Sequence, residues 1–517
     1  MMYIQIIALL VMAATVSLAE VNTCKSPNIL LILVDDMGYS DLGCYGGEIN
    51  TPTIDRLASN GLRYSQFYNS ARCTPTRAAI LSGYYAQQIN RDSVLELKGK
   101  GVRPKWARLL PKYLKPAGYR SYHSGKWHID GKPMGNGFDR SLYIDNHGEF
   151  SPKVLLKNGK RIEPKDGFYA TIAVADHAIE VLKEHQTHHA DKPFFSFVAF
   201  TAPHFPLQAL PEDIARVGDR YKVGWDVIRS QRWERLQELG LVKGSLSKVE
   251  YTQGPPLDFS EQLTVLGESE VDRPAPWNDL TETQKEFQQV KMTIHAAMIE
   301  RMDVEVGRIL KQVKAMNAFN DTLIFFLSDN GASAEMMVRG DGHDPQATPG
   351  SAGSYLCLGP GWSTVANTPF RKHKIWAHEG GSCTPFIVHW PKQTSQAGAI
   401  RETPGHVIDM VPTILDLAGV ETPKQRVPFP GHSLLPSFKM DTGDNRVLWW
   451  SHKGNHAVRN GNWKLVKTNE GNWELYNISE DRAETANLVD QYPEKVKELE
   501  KQWEAQVEQI RQVKKLK

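Results

Sequence analysis

Asn28-Ile29-Leu30-Leu31-Ile32-Leu33-Val34, followed at once by Asp35-Asp36-Met37-Gly38, is the stretch that decides the fold. A strand with one wet face alternates apolar and polar residues. An unbroken apolar run reads instead as a strand covered on both faces, the pattern of a central parallel strand. Two further runs share this character: Phe194 to Phe200, which leads to Pro203-His204, and Thr322 to Leu327, which ends in Ser328-Asp329-Asn330-Gly331. Between them lie segments of helical period. Residues 170–185 carry Ile172, Ala175, Ile179 and Leu182, and residues 288–315 carry Met292, Ala296, Ile299, Met302, Val306 and Ile309. Buried strands alternating with amphipathic helices predict an α/β fold with a parallel sheet.

Outward from these strands the chain changes character three times. Residues 205–285 are polar and interrupted by prolines, with Trp225, Trp233 and Trp277, and read as an excursion beside the sheet. Residues 340–368 are rich in Gly, Ser and Pro and read as loop. Beyond about residue 436, Val447 to Ser451, His456 to Arg459, Trp463 to Val466 and Trp473 to Tyr476 read as short antiparallel strands, with turns at Asn460-Gly461 and Glu470-Gly471. A last helix carries Val496, Leu499, Trp503, Val507 and Ile510. The expected organisation is a leader at 1–19, an α/β catalytic domain at 20–435 and a small C-terminal α+β subdomain at 436–517. Residues 1–19 are apolar and end with Ser17 and Ala19, as an export signal does. A periplasmic or secreted protein follows, with no membrane span after cleavage.

The 517 residues carry 61 Lys and Arg against 59 Asp and Glu, a formal charge of +2 that gives no basis for nucleic-acid binding. Mean hydropathy is −0.42 and there is no second long apolar run, which excludes a multi-span membrane protein. Five cysteines cannot build a disulfide scaffold, and an odd number in an exported chain leaves at least one for another fate.

Chemistry concentrates where the buried strands stop. Ligands of open parallel sheets gather at the carboxyl ends of the strands. Asp35, Asp36, Asp329 and Asn330 would bring three carboxylates and an amide oxygen together there, a set suited to a hard cation, Ca²⁺ or Mg²⁺ rather than Zn²⁺. Asp and Asn also follow strands simply as turn formers. The second feature is Cys73-Thr74-Pro75-Thr76-Arg77 at the head of the helix-like run Ala78-Ala79-Ile80-Leu81-Ser82-Gly83. A helix start directs backbone N–H groups at an anion. A cysteine phosphatase loop would need five residues between Cys and Arg, and here there are three.

Cys-x-Pro-x-Arg joined to Ala-Ala-x-Leu-Ser-Gly resembles the signature of the type I, formylglycine-dependent sulfatases of the alkaline phosphatase superfamily. Further pieces agree in order: Asn28 to Gly38, Gly125-Lys126-Trp127-His128, Ala202-Pro203-His204, Ser328-Asp329-Asn330-Gly331, Phe370 to Lys374 before Glu379-Gly380-Gly381, then Trp463-Lys464-Leu465 and Glu474-Leu475-Tyr476. The resemblance runs from about residue 27 to 510, and the stretches His204–Trp277 and Arg339–Trp362 look most like the arylsulfatase branch. It implies a large mixed, mostly parallel sheet flanked by helices, alkaline-phosphatase-like, with a small C-terminal subdomain.

The resemblance implies hydrolysis of sulfate monoesters, on a sulfated carbohydrate or an aryl sulfate. It further implies that a maturation enzyme oxidises Cys73 to formylglycine. One hydroxyl of the hydrated aldehyde attacks sulfur, and the second collapses to release sulfate. Arg77 would be the charge partner of residue 73, Lys126 and Lys374 would hold sulfate oxygens, His128 would be the base and His204 would serve the leaving oxygen. Asp35, Asp36, Asp329 and Asn330 would bind Ca²⁺, in preference to Mg²⁺. The basic run Arg371-Lys372-His373-Lys374 leaves the register of the distal lysine open. His343, Tyr355, Trp362, Trp376, His378 and His452 are candidates to line sugar subsites. The chain departs from the family pattern at Ile129-Asp130, Tyr84 and Thr53. A phosphonate or phosphodiester hydrolase of the same superfamily, and an unconverted homologue that binds sulfated glycans, are the alternative readings.

Overall fold

The structure, a computed structural model, describes residues 26–145, 148–336, 342–394, 396–421, 426–443 and 446–516. The expected leader at 1–19 and Cys24 lie outside the described residues. The main sheet is built from β1 (Asn28–Val34), β2 (Leu62–Tyr68), β3 (Arg120–Lys126), β4 (Arg140–Ile144), β5 (Leu155–Lys157), β6 (Lys160–Arg161), β7 (Phe194–Ala199), β8 (Thr322–Ser328), β9 (Cys383–His389), β10 (Ala399–Arg401) and β11 (Gly405–His406). Its order is β10-β2-β9-β8-β1-β7-β3-β4-β5-β6, with β11 also on β2. The middle is parallel: β1 pairs with β7 and β8, and β3 with β7 and β4. β9 runs antiparallel between β2 and β8, so the sheet is mixed but mostly parallel, as expected.

β1 explains why its sequence is apolar throughout. Leu30, Ile32 and Val34 join a core on one face, with Met292, Ile299 and Val306 of the helix Glu282–Ala315 and Val174 and Val181 of the helix Ala170–His188. Ile29, Leu31 and Leu33 join a second core on the other face, with Ala79 and Ile80 of the helix Cys73–Ser82 and Val411 and Ile414 of the helix Met410–Leu417. Both helical periods read from the sequence are present. The longer helix starts at a capping box, in which Thr281 accepts from the Gln284 N–H at 3.2 Å and Gln284 accepts from the Thr281 N–H at 3.0 Å.

One expectation needs correction. The Gly/Ser/Pro-rich stretch is not all loop, because Gly359–Ala366 forms a helix whose Trp362 is sealed against Tyr221, Trp225 and Trp277. The excursion contributes the helices Pro211–Val217, Trp225–Glu238 and Ser260–Leu266. Its tryptophans pack inward: Trp225 and Trp277 are core residues.

The C-terminal strands β12 (Val447–His452), β13 (Asn455–Asn460), β14 (Trp463–Lys467) and β15 (Glu474–Asn477) form an antiparallel sheet in that order. Leu499, Trp503, Val507 and Ile510 of the helix Pro493–Lys515 are buried with it. What ties this sheet to the body is a sealed ionic cluster. Lys464 Nζ lies 2.8 Å from Glu379 and 2.9 Å from Glu484, and Arg482 lies 3.0 Å from Glu379. Burial pushes the Glu379 carboxyl up, but Lys464, Arg482 and Arg459 together hold it down at about 2.

Removing one member of such a cluster leaves an uncompensated buried charge. Lys464→Met is expected to cost about 3–5 kcal/mol in urea unfolding; a loss below about 1 kcal/mol would show that the cluster is not what joins the two sheets. A depressed carboxyl favours the fold above its ordinary value of 4.5, and that contribution fades as pH falls toward 2. In Lys464→Met, where the Glu379 carboxyl is held less far below 4.5, the loss of stability between pH 4.5 and 2 should be smaller than in the parent protein.

Candidate active site

Registration of the parallel strands builds the site. Leu33 pairs with both Ala199 and Leu327, and Gly125 pairs with Ala199, so β8, β1, β7 and β3 end along one edge. The chain leaves that edge under tight control. Asp329 N–H donates to Val34 O at 3.0 Å and Asp35 N–H to Ala202 O at 3.2 Å. Asp36 takes a left-handed φ of 63°, which Asp tolerates better than most residues, and so turns its carboxylate back over the edge. Gly331 passes so close to the carbonyl of Gly380 that a Cβ would sit 1.8 Å from it. This packing presses the 329–331 turn against the segment that carries Lys374.

Cys73 is the first residue of the helix Cys73–Ser82 and is buried, within electrostatic reach of Arg77, Lys374, Arg72 and Asp329. Arg77, one turn on, donates from Nε to Asp329 at 2.8 Å, reaches Asp35 at 3.3 Å and holds the Lys126 carbonyl at 3.1 Å. Lys126 Nζ contacts Asp35 Oδ2. Lys374 Nζ lies 2.7 Å from Asp36, 3.3 Å from His204 Nε2 and 3.2 Å from Glu335. Asn330 donates to Asp36 at 2.6 Å. His128, at a φ of 55°, places Nε2 3.1 Å from Thr74 Oγ1. All ten residues singled out in the sequence therefore converge on one edge.

The register of the basic run is also resolved. Arg371 pairs with Glu250 and Glu474, Lys372 with Glu250, and His373 with Ser363. Lys374 alone of the four turns to Asp36.

Carboxyl groups and cations are paired with one another throughout this sealed pocket. Asp35, Asp36 and Asp329 face Arg77, Lys126 and Lys374, all essentially without solvent contact. Burial and the adjacent Asp35 drive the Asp329 carboxyl well above the carboxylate range. Burial also raises Asp35, but Lys126 and Arg77 bring it below its ordinary value. Burial, reinforced by Lys126 and by Lys374 respectively, keeps His128 and His204 well below 6.5 and hence neutral. Two oxygens aimed into this cluster, Asp35 Oδ1 and Asn330 Oδ1, are buried with no hydrogen-bond partner among the described residues. Unsatisfied oxygens among crowded carboxylates are what a hard cation would satisfy, so the donor set fits Ca²⁺ or Mg²⁺. Asp35, Asp36 and His204 also offer ligand atoms within 4.8 Å of one another, which adds His204 to the groups within reach of such an ion.

Sequence reading missed Glu335 and Arg72. Glu335 bridges Lys374 at 3.2 Å and Arg72 at 3.3 Å, and is held at about 2 by these two cations against burial. No local pattern marks Glu335, which lies only four residues beyond Gly331. The expected sugar-subsite residues fare unevenly. Trp362 and His378 are fully buried, with Trp362 donating to Gln288 O at 2.7 Å and His378 lying 3.4 Å from Glu474. Trp376 is buried beside His373. These three are packing residues. Tyr355 stands next to Phe205, whose ring lies 5.3 Å from Lys374 Nζ, and His343 accepts the Tyr355 N–H at 3.1 Å. Of the departures from the family pattern, Asp130 pairs with Arg103 at 2.8 Å, and Tyr84 donates to Val427 O at 2.6 Å in a separate small core. Thr53 N–H donates to Asp303 at 3.0 Å. Cys44, Cys73, Cys357 and Cys383 are not joined to one another by disulfides.

Residues 27–420 match the family model described as Sulfatase, and residues 370–513 match that described as N-sulphoglucosamine sulphohydrolase, C-terminal. An arylsulfatase of Klebsiella aerogenes is 30% identical over 456 residues, covering 80% of this chain and 92% of its own. N-acetylgalactosamine-6-sulfatase of Sus scrofa is 26% identical, covering 86% and 72%. Among solved structures, Ps i-CgsB in complex with a neocarrahexaose superposes with a TM-score of 0.67 at 24% identity, covering 93% of this chain and 92% of that one. A second, in complex with its substrate D-glucosamine-2-N,6-O-disulfate, gives 0.65 at 21% identity, covering 94% and 99%. The solved structures share the fold, and the family match spans most of the chain: it belongs to the sulfatase family, enzymes that hydrolyse sulfate esters.

Proposed function

We propose that the protein removes sulfate from a sulfated carbohydrate, using a formylglycine made from Cys73 and a divalent cation, Ca²⁺ in preference to Mg²⁺. The observation that carries this reading is the mutual pairing of carboxyl groups and cations in the strand-end pocket. Asp35, Asp36 and Asp329 engage Arg77, Lys126 and Lys374, and side chains engaged in this way are not free for an anionic ester. A divalent ion bound by Asp35, Asp36, Asp329 and Asn330 would take over the carboxylates, supply Lewis acidity and free the three cationic side chains. The freed cations suit the three sulfate oxygens. Preorganised charge of this kind is commonly the largest catalytic contribution.

The remaining roles follow from position. Arg77, held by the Lys126 carbonyl, stays one helical turn from residue 73 whatever else moves. Lys126 and Lys374 approach from opposite sides, through Asp35 and Asp36. His204, neutral with Nδ1 donating to the Phe205 carbonyl, keeps a lone pair on Nε2 3.3 Å from Lys374, and it would orient that ammonium, which carries the proton a leaving oxygen needs. His128, neutral with Nδ1 unpaired among the described residues, can accept the proton whose loss releases sulfate. Support for a sugar substrate comes from the relatives, several of which are named for sulfated sugars. We place the catalytic domain at 20–435 and the subdomain at 436–517, and read residues 1–19 as an export signal to the periplasm or exterior. No described helix is long and apolar enough to cross a membrane.

Co-expression with a formylglycine-generating enzyme should give a Cys73 peptide lighter by the difference between CH₂SH and CHO. It should also give sulfate release that Cys73→Ala lowers by at least about 10³-fold, the scale of a lost nucleophile. Equal release from both proteins would contradict the assignment. Because burial and Lys126 keep His128 neutral, the acid limb of kcat/KM should lie below pH 6.5. A limb above that value would remove His128 as the base.

A further inference from the structure

The turn between β12 and β13 carries a cation that the fold does not use. It joins His452 to Asn455 through Lys453 and Gly454, with φ values of 45° and 78°. Two consecutive left-handed residues make the kind of two-residue hairpin turn that favours Asn, Asp or Gly at its first position. Lysine there is strained, and a local rule broken with no structural return marks a functional position more often than a neutral one. The return is not structural here. Lys453 is exposed, and its ammonium makes no hydrogen bond or ion pair among the described residues.

The turn is nevertheless held firmly, and in one place. His452 Nδ1 lies 2.8 Å from Asp92, Gln87 donates to Asp92 at 3.1 Å and also to the Ser451 carbonyl, and Asn455 donates to the His452 carbonyl at 3.2 Å. One strand residue earlier, Trp450 donates to the Asn69 carbonyl at 2.8 Å. The hairpin is therefore seated on the segment 69–72 that runs into Cys73. Lys453 sits within electrostatic reach of Arg72, Glu335 and Asp92. Of these, Asp92 is engaged by His452, and Glu335 is shared between Arg72 and Lys374. Arg72 keeps about a quarter of its side chain exposed, at 23%. Two cations, Lys453 and Arg72, thus lie near one another beside the segment that runs into Cys73, and Glu335, the carboxylate they share as a neighbour, is already engaged twice.

We infer that Lys453, with Arg72, receives a second anionic group of the substrate, so that the enzyme favours a sugar bearing a further sulfate or a carboxylate beside the sulfate it removes. This rests on the sulfatase reading for the direction from which the substrate enters. Burial and the neighbouring Arg72 lower the Lys453 ammonium, a sign that like charges are crowded at this rim.

Binding tests the inference apart from turnover. In the full-length Cys73→Ala protein with Ca²⁺, calorimetry would compare sugars in pairs: N-acetylglucosamine 6-sulfate against glucosamine 2-N,6-O-disulfate, N-acetylgalactosamine 6-sulfate against the 4,6-disulfate, and each monosulfate against its disaccharide with a uronate. The dianionic member of at least one pair should bind about tenfold more tightly. Adding Lys453→Asn removes the charge while suiting the turn, so the protein should fold at least as well, and the preference should fall to near one. Lys453→Arg should retain it. A preference in the sulfate pairs or in the uronate pairs identifies the anion, and either supports the inference. No preference in any pair, or a preference that Lys453→Asn leaves intact, overturns it. Failure of the wild-type enzyme to release sulfate would count against the catalytic proposal instead, and would leave these ratios standing.

Discussion

Everything at the active edge depends on how its buried carboxyl groups and cations are shared. Three carboxylates and three cations sit out of contact with water, where an isolated charge is strongly disfavoured. Each cation therefore has a carboxylate within ion-pair distance, and in this state they are each other's ligands. An anionic substrate competes with Asp35, Asp36 and Asp329 for the same side chains. In the proposed mechanism a divalent cation would resolve that competition by giving the carboxylates another partner. The unpaired oxygens of Asp35 and Asn330 are the local sign of that demand.

The sheet makes this arrangement possible. Parallel strands in register end together, so residues that lie far apart in the chain, Asp35, Lys126, His204 and Asp329, emerge side by side. The antiparallel β9 then brings the segment from Phe370 to Gly381 across the same edge, with Lys374 N–H on the Ala332 carbonyl at 3.1 Å. The C-terminal sheet adds a third layer of control. It is locked to the body by Lys464, Glu379 and Arg482, and its first hairpin is seated on the Asn69 carbonyl through Trp450. Scaffold and rim are thus built by different sheets, which allows the rim to vary without disturbing the ion-paired edge.

Much of this was legible in the residues alone. Unbroken apolar runs specify β1, β7 and β8 because burial on both faces leaves no room for alternation, and the oxygen-bearing pairs that follow them mark the edge. The resemblance supplied Lys126, His128, His204 and Lys374, which periodicity could not. Other features were not legible. Trp362 reads like a sugar-binding aromatic but lies in a nest of aromatic rings, since residue type does not report which face of a short helix is inward. Glu335 and Arg72 acquire meaning only through each other, across 263 positions of sequence. Lys453 looks like any surface lysine until its backbone conformation and its neighbours are known.

The most direct test of the account is linkage between two simple ions. Calorimetry would measure the affinity of the Cys73→Ala protein for inorganic sulfate, first with chelator and then with saturating Ca²⁺. If the cation releases Arg77, Lys126 and Lys374 from the carboxylates, sulfate binding should strengthen by at least about tenfold with Ca²⁺, and Ca²⁺ binding should strengthen by the same factor with sulfate. Sulfate affinity that is identical with and without Ca²⁺ would contradict the account.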